Sequence, residues 1–234
     1  MLRFLPGWNL IDFLCHQFGW EGDVAFAATT VGIFVCMVIG YLLGSLNSAI
    51  IISRMCFHAD IREQGSKNAG ATNMLRTYGT KYAVMTMVLD MLKAAVATTI
   101  GFFLCHTVGA PIAAFFCVFG HMFPLYYRFR GGKGVACTAI VALMLDLPTF
   151  CVMFVCFFAI VLMTRFVSLA SIMCAFLYPL LIRAFAPTMG TAQLMAILTT
   201  VFVVFMHREN IKRLYNGKES KINLSRKKNS GGNS

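Results

Sequence analysis

Long apolar stretches alternate with short polar ones along the whole of this 234-residue chain, and the apolar runs include Val24–Ile39, Ala94–Cys105, Leu147–Thr164 and Ala192–Met206. A helix needs about 20 apolar residues to cross a hydrocarbon layer. On that measure the pattern predicts seven membrane segments, at 24–53, 82–104, 110–127, 134–147, 149–164, 167–186 and 189–206. The pair 134–147 and 149–164 is short for a crossing. It reads as two helices tilted into protein, as a re-entrant pair, or as one element broken near Pro148. A five-helix count with that pair re-entrant keeps the same overall orientation.

Composition sharpens this picture. The chain is 59% hydrophobic and 12% charged, against about 25% charged residues in ordinary globular domains. The expected fold class is therefore an all-α polytopic membrane protein of about seven transmembrane helices. One bundle accounts for the length, with an extracytoplasmic leader at 1–23, a membrane domain at 24–222 and a disordered basic tail at 223–234. There is no internal repeat and no cleavable signal peptide pattern, so the first apolar segment reads as retained.

The net charge of +11 does not indicate nucleic-acid binding, because its placement follows membrane topology. Basic residues cluster at Arg54, Arg62, Lys67, Arg76 and Lys81, at Arg128, Arg130 and Lys133, and after Met206, while residues 1–23 carry Arg3 against Asp12, Glu21 and Asp23. The positive-inside rule puts all three basic regions in the cytoplasm and the N-terminus outside. Seven crossings from an outside start also end the chain inside. The cysteines are scattered through apolar segments without a Cys-x-x-Cys pair, as expected of reduced thiols packing as small apolar groups. No metal-ligand spacing occurs.

Three cytoplasmic stretches are more detailed than connecting loops require. The first, Asp60–Gly79, reads DIREQGSKNAGATNMLRTYG. Its Ser66, Asn68, Thr72 and Asn73 are hydrogen-bonding groups suited to phosphate or hydroxyls, and Arg76 can hold phosphate in a two-pronged contact. The second, Gly120–Gly134, reads GHMFPLYYRFRGGKG. Gly131, Gly132, Lys133 and Gly134 form a glycine-rich basic loop suited to an anion, at the N-terminus of a helix if one begins there. The nucleotide-binding P-loop pattern fails, because Tyr127 stands where its first glycine belongs and Gly134 follows the lysine. The third, His207–Gly217, reads HRENIKRLYNG and puts His207 and Asn210 on one helical face. There His207 can handle a proton and Asn210 can hold a carbonyl or hydroxyl.

Other polar groups have plainer expectations. Asp90 and Lys93 stand at i and i+3 inside an apolar segment and read first as a mutual ion pair. His121 reads first as a hydrogen-bonded structural residue. Ser168 and Ser171 open a segment on the cytoplasmic side, where they either cap its helix or line the pocket.

Together these blocks resemble the bacterial acyl-phosphate-dependent glycerol-3-phosphate acyltransferase family of integral membrane enzymes. The resemblance spans about residues 30–222. It rests on GYLLGSLNSA, DIREQGSKNAGATNMLRTYG, LDMLKA, GHMFPLYYRFRGGKGVA, SLASI and HRENIKRLYNGKESKI, in that order. It implies a seven-helix enzyme of the bacterial inner membrane. Such an enzyme moves a fatty acyl group from acyl phosphate to the 1-hydroxyl of glycerol 3-phosphate, giving lysophosphatidic acid and phosphate. By motif position it implies catalytic roles for Ser66, Arg76, His207 and Asn210. Phosphate binding falls to Asn68, Thr72, Asn73, Gly131, Gly132, Lys133, Gly134 and Ser171. It implies no cofactor, no metal and no nucleic acid; the partners are the two substrates and membrane lipid. The chain departs from the family pattern at Lys67 and Ala94, where glycine is usual, and at Ala170, where serine is usual. A lysine at 67 is a strained fit if that position needs positive φ; alternatively it adds another phosphate contact.

The residues themselves support the same chemistry. An acyl phosphate is an activated mixed anhydride, so an enzyme chiefly has to hold two anions together and present a hydroxyl to a carbonyl. The proton of that hydroxyl can pass to His207 or to the donor's own phosphate. A transporter of a phosphorylated metabolite is the rival class. Its site belongs near the bilayer midplane, whereas the polar blocks here lie on one face.

Overall fold

The computed structural model describes residues 9–222. The start of the expected leader and the expected basic tail at 223–234 lie outside the described residues. Ten α-helices make up the described chain: α1 Leu10–Phe18, α2 Gly22–Ser45, α3 Ser48–Phe57, α4 Ala71–Tyr78, α5 Thr80–Met122, α6 Val135–Leu145, α7 Leu147–Thr164, α8 Val167–Phe185, α9 Gly190–Met206 and α10 Arg208–Tyr215. The all-helical expectation holds: each apolar segment read from the sequence is a helix or an arm of one, except 24–53, which is split between two helices.

The core of the bundle is α5, which is two arms rather than one rod. Cys105 (φ −136°, ψ 29°) and His106 (φ 48°, ψ −132°) leave the helical region, and the chain turns back on itself there. Asp90 on the first arm consequently lies 3.4 Å from His121 on the second. The arms are the segments expected at 82–104 and 110–127. They approach so closely near the turn that a methyl at Gly101 would lie 2.7 Å from the Ala113 side chain. Helix α2 packs along α5 through a stripe with a four-residue period, Gly32, Cys36, Gly40 and Gly44, all buried. In lipid, where apolar surface gains little by leaving its surroundings, such small residues let backbones meet and supply the packing.

The expected segment 24–53 is broken at Leu46–Asn47, between α2 and α3. Asn47 Oδ1 caps α3 by accepting from the Ile50 N–H (3.1 Å). Lys93 satisfies the carbonyls freed at the end of α2, donating to Gly44 (3.1 Å) and Leu46 (2.6 Å). The expected Asp90–Lys93 ion pair is present at 2.9 Å, and Ser48 Oγ donates to the same carboxylate oxygen (2.9 Å). A buried charge is expensive unless it is partnered. Here each charged group has several partners, so the pair serves as a polar clamp across the break in α2–α3.

The boundary between α6 and α7 falls at Asp146, with Pro148 in the first turn of α7 rather than at a bend. Asp146 caps α7 by accepting from the Thr149 N–H (3.0 Å). Helix α6 has 11 residues, about 16 Å of rise, roughly half of a hydrocarbon layer. Among the described residues four helical runs are long and apolar enough to cross, and α9 with α10, bent by 57°, makes a fifth. One of the four is the whole of Thr80–Tyr127, which contains both arms of α5.

Candidate active site

Local sequence explains why three polar blocks meet at one end of the bundle. In the first block, Asp60 caps the turn Ile61–Glu63 and the chain then runs through Gly65 and Lys67, both at positive φ (55° and 58°), into α4. Lys67 thus occupies the left-handed conformation that the usual glycine would take freely. Asn73 shapes this loop. Its Oδ1 accepts from the Ser66 N–H (2.8 Å), and its Nδ2 donates to the carbonyls of Ile61 (3.1 Å), Gln64 (2.9 Å) and Asn68 (3.0 Å). The side chain is fully buried and its hydrogen-bonding capacity is spent on its own loop. Asn73 is therefore a scaffold here rather than an open phosphate donor. Thr72 and Arg76, by contrast, stand at i and i+4 on the exposed face of α4, and Ser66 is exposed beside them.

The glycine loop differs from its expected role in a similar way. The Gly131 and Gly132 N–H groups donate to the carbonyls of Met122 (3.1 Å) and His121 (3.1 Å), so they close the end of α5 instead of ringing an anion. What requires glycine is close approach. A methyl at Gly132 would overlap the His121 ring and lie 2.6 Å from the Ala69 carbonyl oxygen. The second block is thereby pressed against the first. Gly134, at φ 78°, precedes α6, and the N–H groups of that helix's first turn have no intrahelical partner. Behind the loop, His121 Nδ1 lies 3.0 Å from Lys93 Nζ, which ties the loop to the buried Asp90–Lys93 clamp.

Lys133 reaches the third block, where its Nζ donates to Asn210 Oδ1. Asn210 Nδ2 in turn donates to Glu219 Oε1 (2.6 Å), which also accepts from Ser168 Oγ (2.8 Å), while Glu219 Oε2 accepts from Arg213 Nε (2.8 Å). Glu219 was given no role by the sequence, yet its side chain is only 6% exposed and joins the start of α8 to α10. The signal available was its place in the block HRENIKRLYNGKESKI, where the second of two carboxylates follows several cations. Of the two serines, Ser168 enters this network. Ser171 Oγ instead donates back to the Val167 carbonyl (2.9 Å), which satisfies it within α8.

His207 ends α9, is 2% exposed, and its Nδ1 lies 2.8 Å from the Val203 carbonyl. A carbonyl accepts only, so Nδ1 carries the proton and the neutral ring keeps its lone pair on Nε2. Burial, followed by the Lys133 charge, lowers its pKa to about 4. Lys133 is itself lowered to about 8, first by burial and then by the cationic Arg213 and Arg76, with Glu219 opposing them. Hydrogen bonds from Ser168, Asn210 and Arg213 outweigh burial and keep Glu219 below its ordinary range. The cluster thus holds several positive charges against one carboxylate around polar donors, an arrangement that stabilises added anions. Among the described residues no group of three or more His, Cys, Asp or Glu side chains is placed to hold a metal ion.

Comparison with known proteins identifies the group to which this architecture belongs. The family model described as Glycerol-3-phosphate acyltransferase matches residues 34–217. A protein named glycerol-3-phosphate acyltransferase from Finegoldia magna is 37% identical over 188 residues, covering 79% of this chain and 93% of its own. The crystal structure of PlsY (YgiH), an integral membrane glycerol 3-phosphate acyltransferase, in its glycerol 3-phosphate form, superposes with a TM-score of 0.77 at 32% identity, covering 82% of this chain and 96% of that one. Its lysophosphatidic acid form gives 0.74 at 31%, covering 82% and 95%. The chain is a multi-pass membrane protein and belongs to the glycerol-3-phosphate acyltransferase family.

Proposed function

We propose that the protein transfers a fatty acyl group from acyl phosphate to the 1-hydroxyl of glycerol 3-phosphate, releasing phosphate and lysophosphatidic acid in the first acylation of phospholipid synthesis. The observation that carries this reading is the convergence of Arg76, Lys133, His207 and Asn210 in one cationic cluster at one end of the bundle. Two phosphates repel each other, and a site that holds both needs such an excess of positive charge. The relatives' names and the two ligand forms of PlsY point to the same acceptor and product.

In this reading Lys133 and Arg76 anchor the phosphates, aided by Ser66, Asn68 and Thr72 and by the N–H groups opening α6. Asn210, fixed by Glu219, orients the lysine. The glycerol hydroxyl attacks the acyl carbonyl, the carbonyl–phosphate bond breaks, and the phosphate leaves with the bonding electrons. An imidazolium at His207 is strongly disfavoured, so His207 Nε2 positions the hydroxyl and the leaving phosphate takes its proton. Phe119, Phe123 and Phe202, packed ring to ring between α5 and α9, offer an apolar seam for the acyl chain. Seven crossings, the N-terminus outside and the site facing the cytoplasm of the bacterial inner membrane fit the placement of the basic loops.

The test is direct. Purified protein in detergent, given palmitoyl phosphate and glycerol 3-phosphate, should release phosphate and form lysophosphatidic acid, and Lys133→Ala or Arg76→Ala should raise the KM of a phosphate-bearing substrate. Absence of product, together with uptake of glycerol 3-phosphate into vesicles carrying the protein, would favour transport instead.

A further inference from the structure

The stretch LYYRFR, Leu125–Arg130, alternates aromatic residues and arginines immediately after α5. Its Arg128 and Phe129 are consecutive non-glycine residues at positive φ, 57° each, a conformation that L side chains disfavour. Arg62 holds the strained turn in place. Its guanidinium donates to the carbonyls of Tyr127 (2.8 Å) and Arg130 (3.2 Å) while paired with Asp60 (2.7 Å). Arg128 and Arg130 thereby lie on a surface that Lys133, the third cation of the same loop, does not share.

They face a groove of about 720 Å³ that Lys133 and Asn210 do not line. Its cations are Arg54, Arg62, Lys67, Arg128 and Arg130, and its acids are Asp60 and Glu63. Asp60 is already paired with both Arg54 and Arg62. Lys67, Arg128 and Arg130 have no ion-pair partner among the described residues. The positive excess is thus concentrated on three open cations, in a space within the usual range for a bound small molecule, roughly 300–1,000 Å³. The neighbouring surface is apolar, with Leu125, Tyr126 and Phe129 about half exposed. A soluble anion gains nothing from that apolar surface, whereas a phosphate that carries acyl chains does. The groove also lies where α5 leaves the apolar layer, the level at which aromatic residues and arginines meet headgroups.

We propose that this groove is a binding site for the phosphate of an anionic phospholipid, separate from the catalytic cluster. Arg128, Arg130 and Lys67 hold the phosphate, and Leu125, Tyr126 and Phe129 carry the start of the chains. The full chain in neutral detergent would be mixed with phosphatidylglycerol or phosphatidylcholine and weighed intact by native mass spectrometry. Phosphatidylglycerol should be retained at least fivefold better than phosphatidylcholine. The double variant Arg128→Gln/Arg130→Gln should lose that preference, as should Lys67→Gln. Arg128→Lys/Arg130→Lys should keep most of it, and Lys133→Ala should bind as the unaltered protein does. Equal retention of the two lipids, or an undiminished preference in both glutamine variants, would overturn the proposal. Inorganic phosphate supplies the second arm: millimolar phosphate binding that the double variant abolishes, without any preference for phosphatidylglycerol, would assign the groove to a soluble anion and also overturn it.

Discussion

Lys133 carries the most exacting prediction, because its charge is poised close to physiological pH. Burial and the neighbouring Arg213 and Arg76 lower its pKa to about 8. A phosphate anchor works only as the ammonium, and kcat/KM reports the free enzyme. Going from pH 7 to pH 9 takes the charged fraction from about 90% to about 10%, so kcat/KM for the acceptor should fall roughly tenfold, about 1.4 kcal/mol. The sign follows from the group: a base loses its positive charge as pH rises, so the limb is alkaline. Bound phosphate favours the ammonium, so the limb in kcat should lie at higher pH than that in kcat/KM. Lys133→Arg places a guanidinium that stays charged throughout. It should lower activity overall, because a planar fork does not match the ammonium's contact with Asn210, but it should abolish the limb. The assay is initial phosphate release across pH 6.5–10, corrected for spontaneous hydrolysis of the acyl phosphate. A wild-type profile flat through pH 9.5, or the same limb in Lys133→Arg, would refute the assignment.

Three further outcomes follow from the same geometry. Glu219→Gln removes the charge that accepts from Ser168, Asn210 and Arg213; with Arg213 43% exposed and therefore screened, the loss should be about 2–3 kcal/mol of stability, read as a lowered thermal midpoint in detergent, and the Lys133 limb should move to lower pH. Asp90→Asn strands the buried Lys93 ammonium and should cost about 3–5 kcal/mol; unfolding indistinguishable from wild type would show that the clamp is not needed. Gly132→Ala forces the loop off His121 and the Ala69 carbonyl, and a displacement near 1 Å should lower kcat about a hundredfold; retained activity would mean that the loop does not set the position of Lys133.

The apolar segments, the three polar blocks and the family resemblance were all legible in the sequence. Segment hydrophobicity is a sum over neighbours in the chain, and the order of the blocks survives any tertiary arrangement. The Asp90–Lys93 pairing was legible for the same reason, since i and i+3 share a helical face. Lys67 at positive φ was legible as a conditional, and the structure supplies the condition.

The use of each hydrogen bond was not legible. Asn73, Gly131 and Gly132 read as anion ligands because of their residue types, yet the fold spends the asparagine on its own loop and the glycine N–H groups on the end of α5. Ser168 and Ser171 read as equivalent, and only the approach of Glu219, 51 residues away from Ser168, separates them. The basic loop read as one cationic patch, but its cations are divided: Lys133 reaches Asn210, while Arg128 and Arg130, at the left-handed turn, line a separate groove. Composition, periodicity and charge placement thus determined that this chain is a membrane bundle with its polar blocks grouped together. Which donors remain open there depends on contacts between residues distant in sequence, and only the tertiary structure decides it.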